Sequence, residues 1–275
     1  MELTINSKVK LNNGLEMPLI GLGVYQSESG NETKDAVLYA LKAGYRHIDT
    51  AKLYANEHDV GSAVKESGIP RNEIFVTTKL WNKDHGYENT IKAFNKSLEQ
   101  LDLGYIDLYL IHWPVTGVRN ETWKAMETLM ETGKCKAIGV SNYTIKDLKE
   151  LLAFAKIVPA INQVEFSPYL YQKELLDFCN KNTIQLEAYS PLTQGRKLKE
   201  KPLVDLSKKY DKTTAQIVLR WALQHNIIII PKSVTESRII ENANIYDFNI
   251  SNSDMDILDN LNEDFRVCWD PTNNP

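Results

Sequence analysis

Apolar and polar positions follow two different periods along the chain. Val9-Lys10-Leu11-Asn12-Asn13-Gly14-Leu15-Glu16-Met17 alternates with a period of two about an Asn-Gly pair. That pattern predicts a hairpin with a two-residue turn, a small lid ahead of the main fold. From Leu19 onward, short apolar runs alternate with segments of helical period. Strands are predicted near 19–22, 47–49, 75–78, 106–111, 137–140, 161–165, 186–189 and 227–230. Helices fall between them near 33–43, 57–67, 87–101, 122–132, 145–154, 173–182 and 213–224, and two more near 236–242 and 253–261 follow the last strand. Eight strand-helix alternations predict an α/β fold, a (β/α)8 TIM barrel with an N-terminal β-hairpin lid, with an open doubly wound sheet as the alternative. No linker or low-complexity stretch divides residues 1–275, so one domain is expected.

The segment Gly21-Leu22-Gly23-Val24-Tyr25-Gln26, with Asp49 downstream, invites a dinucleotide-fingerprint reading. Gln26 stands where the third glycine would be, and the Asn-Gly hairpin precedes the strand, so that reading is rejected. The two glycines are assigned to a tight turn at a strand end.

Composition narrows the class. With 43% hydrophobic and 25% charged residues the chain has the make-up of a soluble globular protein with a sizeable core. A net charge of -4 gives no basic footprint, which argues against a nucleic-acid partner. The local run Arg196-Lys197-Leu198-Lys199-Glu200-Lys201 is read as a solvated loop. Cys135, Cys179 and Cys268 are widely spaced, which argues against a disulfide framework and a zinc site and fits a reducing cytoplasm. Met1 to Asn6 has neither a basic nor an apolar targeting region, and no apolar run approaches membrane-spanning length. A cytoplasmic protein without a membrane partner is expected, working as a monomer.

Polar residues at predicted strand ends carry the candidate chemistry. Asp49 ends the second barrel strand, and Tyr54 lies five residues on, in the loop before Asn56-Glu57 opens a helix. A tyrosine acts as a general acid when a cation brings its pKa of about 10 toward the working pH. Lys79 supplies that cation: it alternates with Phe75 and Thr77, and so points into the barrel mouth. His112 follows the next strand on the face of Leu108 and Leu110. A lone strand-end lysine is ordinarily a snorkelling surface residue, and a lone histidine a satisfied core residue. Four complementary polar groups at the ends of different strands are not explained that way. His47, His58, His85 and His225 form no convincing ligand set with any carboxylate, so no metal is expected.

Six blocks, in order, then point further: Asp49-Thr50-Ala51-Lys52-Leu53-Tyr54-Ala55-Asn56-Glu57, Thr78-Lys79-Leu80-Trp81-Asn82, Leu110-Ile111-His112-Trp113-Pro114, Gly139-Val140-Ser141-Asn142, Asn162-Gln163-Val164-Glu165 and Ile230-Pro231-Lys232-Ser233. Through them nearly the whole chain resembles the aldo-keto reductases, specifically the short bacterial-type members. The resemblance implies a TIM barrel that binds NADPH, with Asp49, Tyr54, Lys79 and His112 as the catalytic tetrad. It implies that Ser141, Asn142 and Gln163 hold the nicotinamide carboxamide and that Tyr189 stacks on its ring. Gly23, Val24 and Tyr25 would border the cofactor, and Ser190, Pro191 and Leu192 would pass beneath the pyrophosphate. Lys232, Ser233 and Arg238 match positions that grip the 2′-phosphate, and Glu241 and Asn242 those facing adenine. Two cations there favour NADPH over NADH.

Tyr25, Trp81 and Trp113, with Tyr54 and His112, would line an apolar pocket for a small carbonyl substrate. Plain strand-end hydrogen bonding and core packing are the alternatives for these positions. Two departures from longer members stand out: the tail after Arg266 is short, and the 193–198 segment that would cover the cofactor is abbreviated. The expected activity is NADPH-dependent reduction of aldehydes and reactive ketones such as methylglyoxal-like dicarbonyls, with Tyr54 as proton donor. Two other classes compete with it. A Schiff-base aldolase would use Lys79 as nucleophile, but has no use for the cofactor blocks. An NADPH-binding module of low turnover, like the cytoplasmic subunits of potassium channels, would keep the barrel and the tetrad.

Overall fold

In the computed structural model, which describes residues 3–273, strands β1 (Lys8–Lys10) and β2 (Glu16–Pro18) pair antiparallel with Val9 opposite Met17. The turn is not the two-residue one expected. Leu11 and Leu15 close a loop of Asn12, Asn13 and Gly14, in which Gly14 N–H donates to the Leu11 carbonyl at 2.9 Å and Gly14 takes φ 87°. A turn followed by a left-handed residue suits an Asn-Asn-Gly triplet, because glycine adopts that conformation without steric cost. The hairpin's position shows which end of the barrel this lid covers. Asn12 Nδ2 donates to the Pro159 carbonyl at 3.1 Å and Asn13 Nδ2 to the Lys136 carbonyl at 3.0 Å, while Met17 is fully buried. The hairpin thus plugs the end of the barrel where the strands begin, away from the functional groups at their far ends.

Strands β3 (Leu22–Gly23), β4 (His47–Asp49), β5 (Phe75–Leu80), β6 (Ile106–Ile111), β7 (Cys135–Ser141), β8 (Ile161–Glu165), β9 (Gln185–Tyr189) and β10 (Ile228–Ile229) form one parallel sheet in chain order. Its two edges meet. Gly21 N–H donates to the Ile229 carbonyl at 2.9 Å and Ile229 N–H to the Leu19 carbonyl at 3.0 Å, so the ring closes as a barrel. This closure explains the two glycines. A Cβ on Gly23 would sit 2.9 Å from the Ile230 carbonyl oxygen, and one on Gly21 would sit 2.4 Å from the His47 ring. Neither has a positive φ, so close approach, not the tight turn expected, is what requires glycine.

Around the barrel run α1 (Asn31–Lys42), α2 (Glu57–Glu66), α3 (Tyr87–Leu101), α4 (Arg119–Glu131), α5 (Ile145–Leu152), α6 (Lys173–Lys181), α7 (Lys201–Tyr210), α8 (Thr214–Gln224), α9 (Glu236–Ala243) and α10 (Asn252–Asp259). The helices cover the outer face while side chains fill the inner one, so every residue of β5 and β6 is buried. Helix α7 is the element the sequence reading omits. The polar run 196–201, expected as a solvated loop, ends on its first residue, and Pro202 in its first turn and the buried Leu203 and Leu206 three apart are helix signals. Among the described residues no helix is long and apolar enough to cross a membrane.

Candidate active site

The ends of β4 and β5 build the centre. Asp49 is the last residue of β4, and the chain leaves it through a short 3-10 turn, Lys52–Tyr54, which ends on Ala55 at φ 56°. Thr50 Oγ1 donates to Asn56 Oδ1 at 2.7 Å, Asn56 Nδ2 donates to the Val24 carbonyl at 3.1 Å, and Lys52 pairs with Asp84 at 2.6 Å. These bonds fix the loop that carries Tyr54. Lys79, fully buried on β5, has its three ammonium donors assigned: Asp49 Oδ1 at 2.6 Å, the Thr50 carbonyl at 2.9 Å and the Tyr54 hydroxyl at 3.3 Å. These three bonds hold the Lys79 nitrogen beside the phenol. That nitrogen is fully buried and is not part of the cleft lining, so a substrate carbonyl has no access to it, and this disfavours the aldolase alternative.

Burial pushes the Tyr54 phenol well above its ordinary pKa, and the Asp49 carboxylate pushes the same way. That differs from the expected lowering by Lys79: in the free chain desolvation dominates, and Tyr54 is held in its proton-bearing form. His112 follows β6, with its ring 5.7 Å from the Tyr54 ring and 5.3 Å from that of Trp81. Burial, with a smaller push from Lys79, holds its imidazole well below the usual value, so it is neutral.

Tyr54 and His112 open into a cleft also lined by Gly23, Tyr25, Ser141, Asn142, Gln163 and Tyr189. Ser141 Oγ donates to the Gln163 carbonyl at 2.8 Å. Asn142, at φ 63°, donates from Nδ2 to the His112 carbonyl at 3.0 Å and accepts from the Tyr189 hydroxyl at 2.8 Å, so it braces three strand ends. Farther out the cleft meets Ser190 and Lys232. Lys232 and Arg238 are exposed, with Ser233 buried between them in sequence, and Arg238 is not among the residues that line the cleft. Neither cation has an ion-pair partner among the described residues. Glu241 accepts from Thr213 Oγ1 at 2.7 Å, and Asn242 is buried on α9.

Not every expected residue reaches the cleft. Val24 is fully enclosed, its N–H donating to the Asp49 carbonyl at 3.1 Å and its carbonyl accepting from Asn56, so it offers no free polar group. Pro191 and Leu192 pack behind the wall, and Trp81 contributes through His112. Conversely, Gln194, Arg196, Val267, Cys268 and Trp269 line the cleft without having been expected. The short tail is pinned: Val267 N–H and Cys268 N–H donate to the two oxygens of Glu165 at 2.6 and 3.1 Å. Trp269 then lies 5.9 Å from Trp113, ring to ring. An apolar pair so near the chain end, Val267 and Trp269, was the available signal.

The sequence matches the Aldo/keto reductase family over residues 19–263. The chain belongs to that family. It is 54% identical to the glyoxal reductase of Bacillus subtilis (strain 168) over 271 residues, 98% of either chain. Among solved structures, the aldo-keto reductase MGS-M4 from a deep-sea metagenome library superposes with a TM-score of 0.94 at 48% identity, covering 98% of this chain and 100% of that one. A Bombyx mori aldo-keto reductase in complex with NADP gives 0.91 at 34% identity, covering 97% and 96%. As a member of this family the protein is an oxidoreductase acting on carbonyl compounds.

Proposed function

We propose that the protein reduces aldehydes and reactive ketones, dicarbonyls such as methylglyoxal among them, with NADPH as reductant and Tyr54 as proton donor. The observation that carries this reading is the Lys79 ammonium, 2.6 Å from Asp49 and 3.3 Å from the Tyr54 hydroxyl, beneath an open cleft. The cleft's donors and acceptors suit the cofactor. An aromatic ring, Tyr189, stands beside amide and hydroxyl groups at the inner end, Lys232 stands on the cleft wall, and Arg238 is exposed six residues farther along the chain, two cations of the kind a 2′-phosphate would need. Gln163, Ser141 and Asn142 would hold the carboxamide, and Lys232 and Arg238 the phosphate. The bound cofactor supplies the hydride.

The chain's own residues then handle the oxygen. As negative charge gathers on the carbonyl oxygen, Tyr54 gives it the phenolic proton, and neutral His112 donates a second hydrogen bond. The phenolate left on Tyr54 is stabilised by Lys79, which Asp49 keeps in place. Tyr25, Trp113 and Trp269 enclose the organic part of the substrate in a largely apolar wall.

The test mixes purified protein with NADPH, or NADH, and a panel of glyoxal, methylglyoxal and nitrobenzaldehyde, and follows loss of reduced-nicotinamide absorbance. Turnover with NADPH and weaker turnover with NADH are expected. No turnover across the panel would overturn the reading.

A further inference from the structure

The barrel interior beneath the cleft holds a carboxyl that the reaction above does not use. Glu187, on β9, is fully buried and stands beside Gln163 of β8 in the parallel register. Its Oε2 accepts from Gln163 Nε2 at 2.8 Å, and the same nitrogen donates to Asp49 Oδ2 at 2.8 Å. A primary amide has two N–H donors and one carbonyl. Both donors of Gln163 are therefore spent on carboxyl groups, and the carbonyl is the polar end left for the cleft that Gln163 lines. Rotating the amide by half a turn would set its oxygen against the Asp49 carboxylate, the partner of Lys79, so a single orientation is enforced.

We propose that Glu187 is a positioning residue, which locks the Gln163 amide so that it presents an acceptor, and not a donor, to the carboxamide N–H of the nicotinamide. The proposal rests on the functional reading above. It predicts which end of a carboxamide fits: an analogue that offers only an oxygen there has no donor for Gln163.

The surroundings of Glu187 support a carboxyl kept for such a purpose. His47 of β4 approaches its other oxygen at 3.7 Å and bonds Thr77 Oγ1 of β5 at 3.2 Å, while Lys79 and Asp49 lie above and Ile228 flanks it in β10. Burial pushes the His47 imidazole down to about 3, so it brings no charge. Burial, and next the Asp49 carboxylate, push Glu187 up to about 8. At neutral pH the layer thus holds one ion pair, Lys79 with Asp49, and a neutral Glu187 that accepts from Gln163. A buried carboxyl of this kind is costly where a leucine would pack, which a purely structural position does not require.

The test compares Glu187→Gln, which keeps an amide oxygen as acceptor, with Glu187→Leu, which keeps none. Dissociation constants for NADPH and NADH come from quenching of protein fluorescence, and thermal melts of the free proteins check folding. Glu187→Leu is expected to weaken both cofactors alike, by about tenfold, the equivalent of one hydrogen bond lost, while Glu187→Gln stays within about twofold of wild type. If Glu187→Leu does not fold, wild type and Glu187→Gln are compared with an NADPH analogue bearing a methyl ketone in place of the carboxamide. Both are expected to discriminate against it equally.

Unchanged cofactor affinity in Glu187→Leu would overturn the proposal. So would losses of equal size in Glu187→Leu and Glu187→Gln, or a ketone analogue bound as tightly as NADPH. A wild type that binds neither cofactor would instead overturn the functional reading, and the proposal with it.

Discussion

Lys79 is fully buried, and its ammonium is held by three protein partners. Removing one partner from a buried pair leaves the other charge uncompensated, a loss of about 3–5 kcal/mol when nothing replaces it. Asp49 and Lys79 therefore each depend on the other for their place in the barrel. Tyr54, Lys79 and His112 could be read from strand alternation and from their places at strand ends. Glu187 could not: in Gln185-Leu186-Glu187-Ala188 the period of two sets it opposite Leu186 and Ala188, on what reads as the wet face of a strand. Only a closed barrel turns that face into an interior. If Arg238 holds the 2′-phosphate as proposed, Arg238→Ala should weaken NADPH by about tenfold and NADH very little, since only NADPH carries the phosphate. A pair of dissociation constants decides this, and an equal loss for both cofactors would assign Arg238 to the fold.

Loops and termini, more than strands, separate the sequence reading from the structure. Strand positions follow from apolar runs, whereas the tail and the 193–198 segment stand out in the sequence only by their length. Their effect comes from contacts that length does not encode. Ser190, Thr193 and Gln194 all take positive φ, so the chain turns sharply enough to bring Gln194 and Arg196 to the cleft. Glu165 anchors the tail by its two backbone donors, and Trp269 meets Trp113 as a result. An aromatic pair of this kind is worth about 0.5–1.5 kcal/mol beyond area burial. Trp269→Ala should therefore raise KM for nitrobenzaldehyde by about two- to tenfold, and leave that for glyoxal, a smaller molecule, nearly unchanged. Equal changes for both would place Trp269 outside the substrate wall.

Across the whole molecule, barrel closure dictates how stability responds to acid. His47, His85 and His112 are buried, and burial lowers all three, to about 3 for His47 and about 4 for His85. An unfolded histidine takes up its proton near pH 6.5. Below that value the unfolded chain binds more protons than the folded one, so stability present above pH 6.5 is lost as pH falls, each histidine adding up to about 1.4 kcal/mol per pH unit. Glu187 acts with the opposite sign. Its folded value is raised, so its contribution is full below its unfolded range and declines as pH rises through about 8. Burial also raises Asp49, Glu57, Asp107 and Glu165, which act with the sign of Glu187, so the histidine share is read by difference: between pH 6.5 and 5 the urea midpoint of His85→Asn should fall less, or rise more, than that of wild type, and an identical pH dependence would contradict a buried neutral His85.

The barrel itself was legible because eight apolar runs alternate with helical segments. The hairpin's place at the opposite end was not, because Asn12 and Asn13 bind backbone carbonyls more than a hundred residues away. The most direct test of the account is Tyr54→Phe. Measured beside wild type, it should lower kcat for glyoxal by about 100- to 10,000-fold, the usual contribution of a positioned acid, with the NADPH dissociation constant within about twofold. A Tyr54→Phe variant that turns over at a near-normal rate would contradict the account.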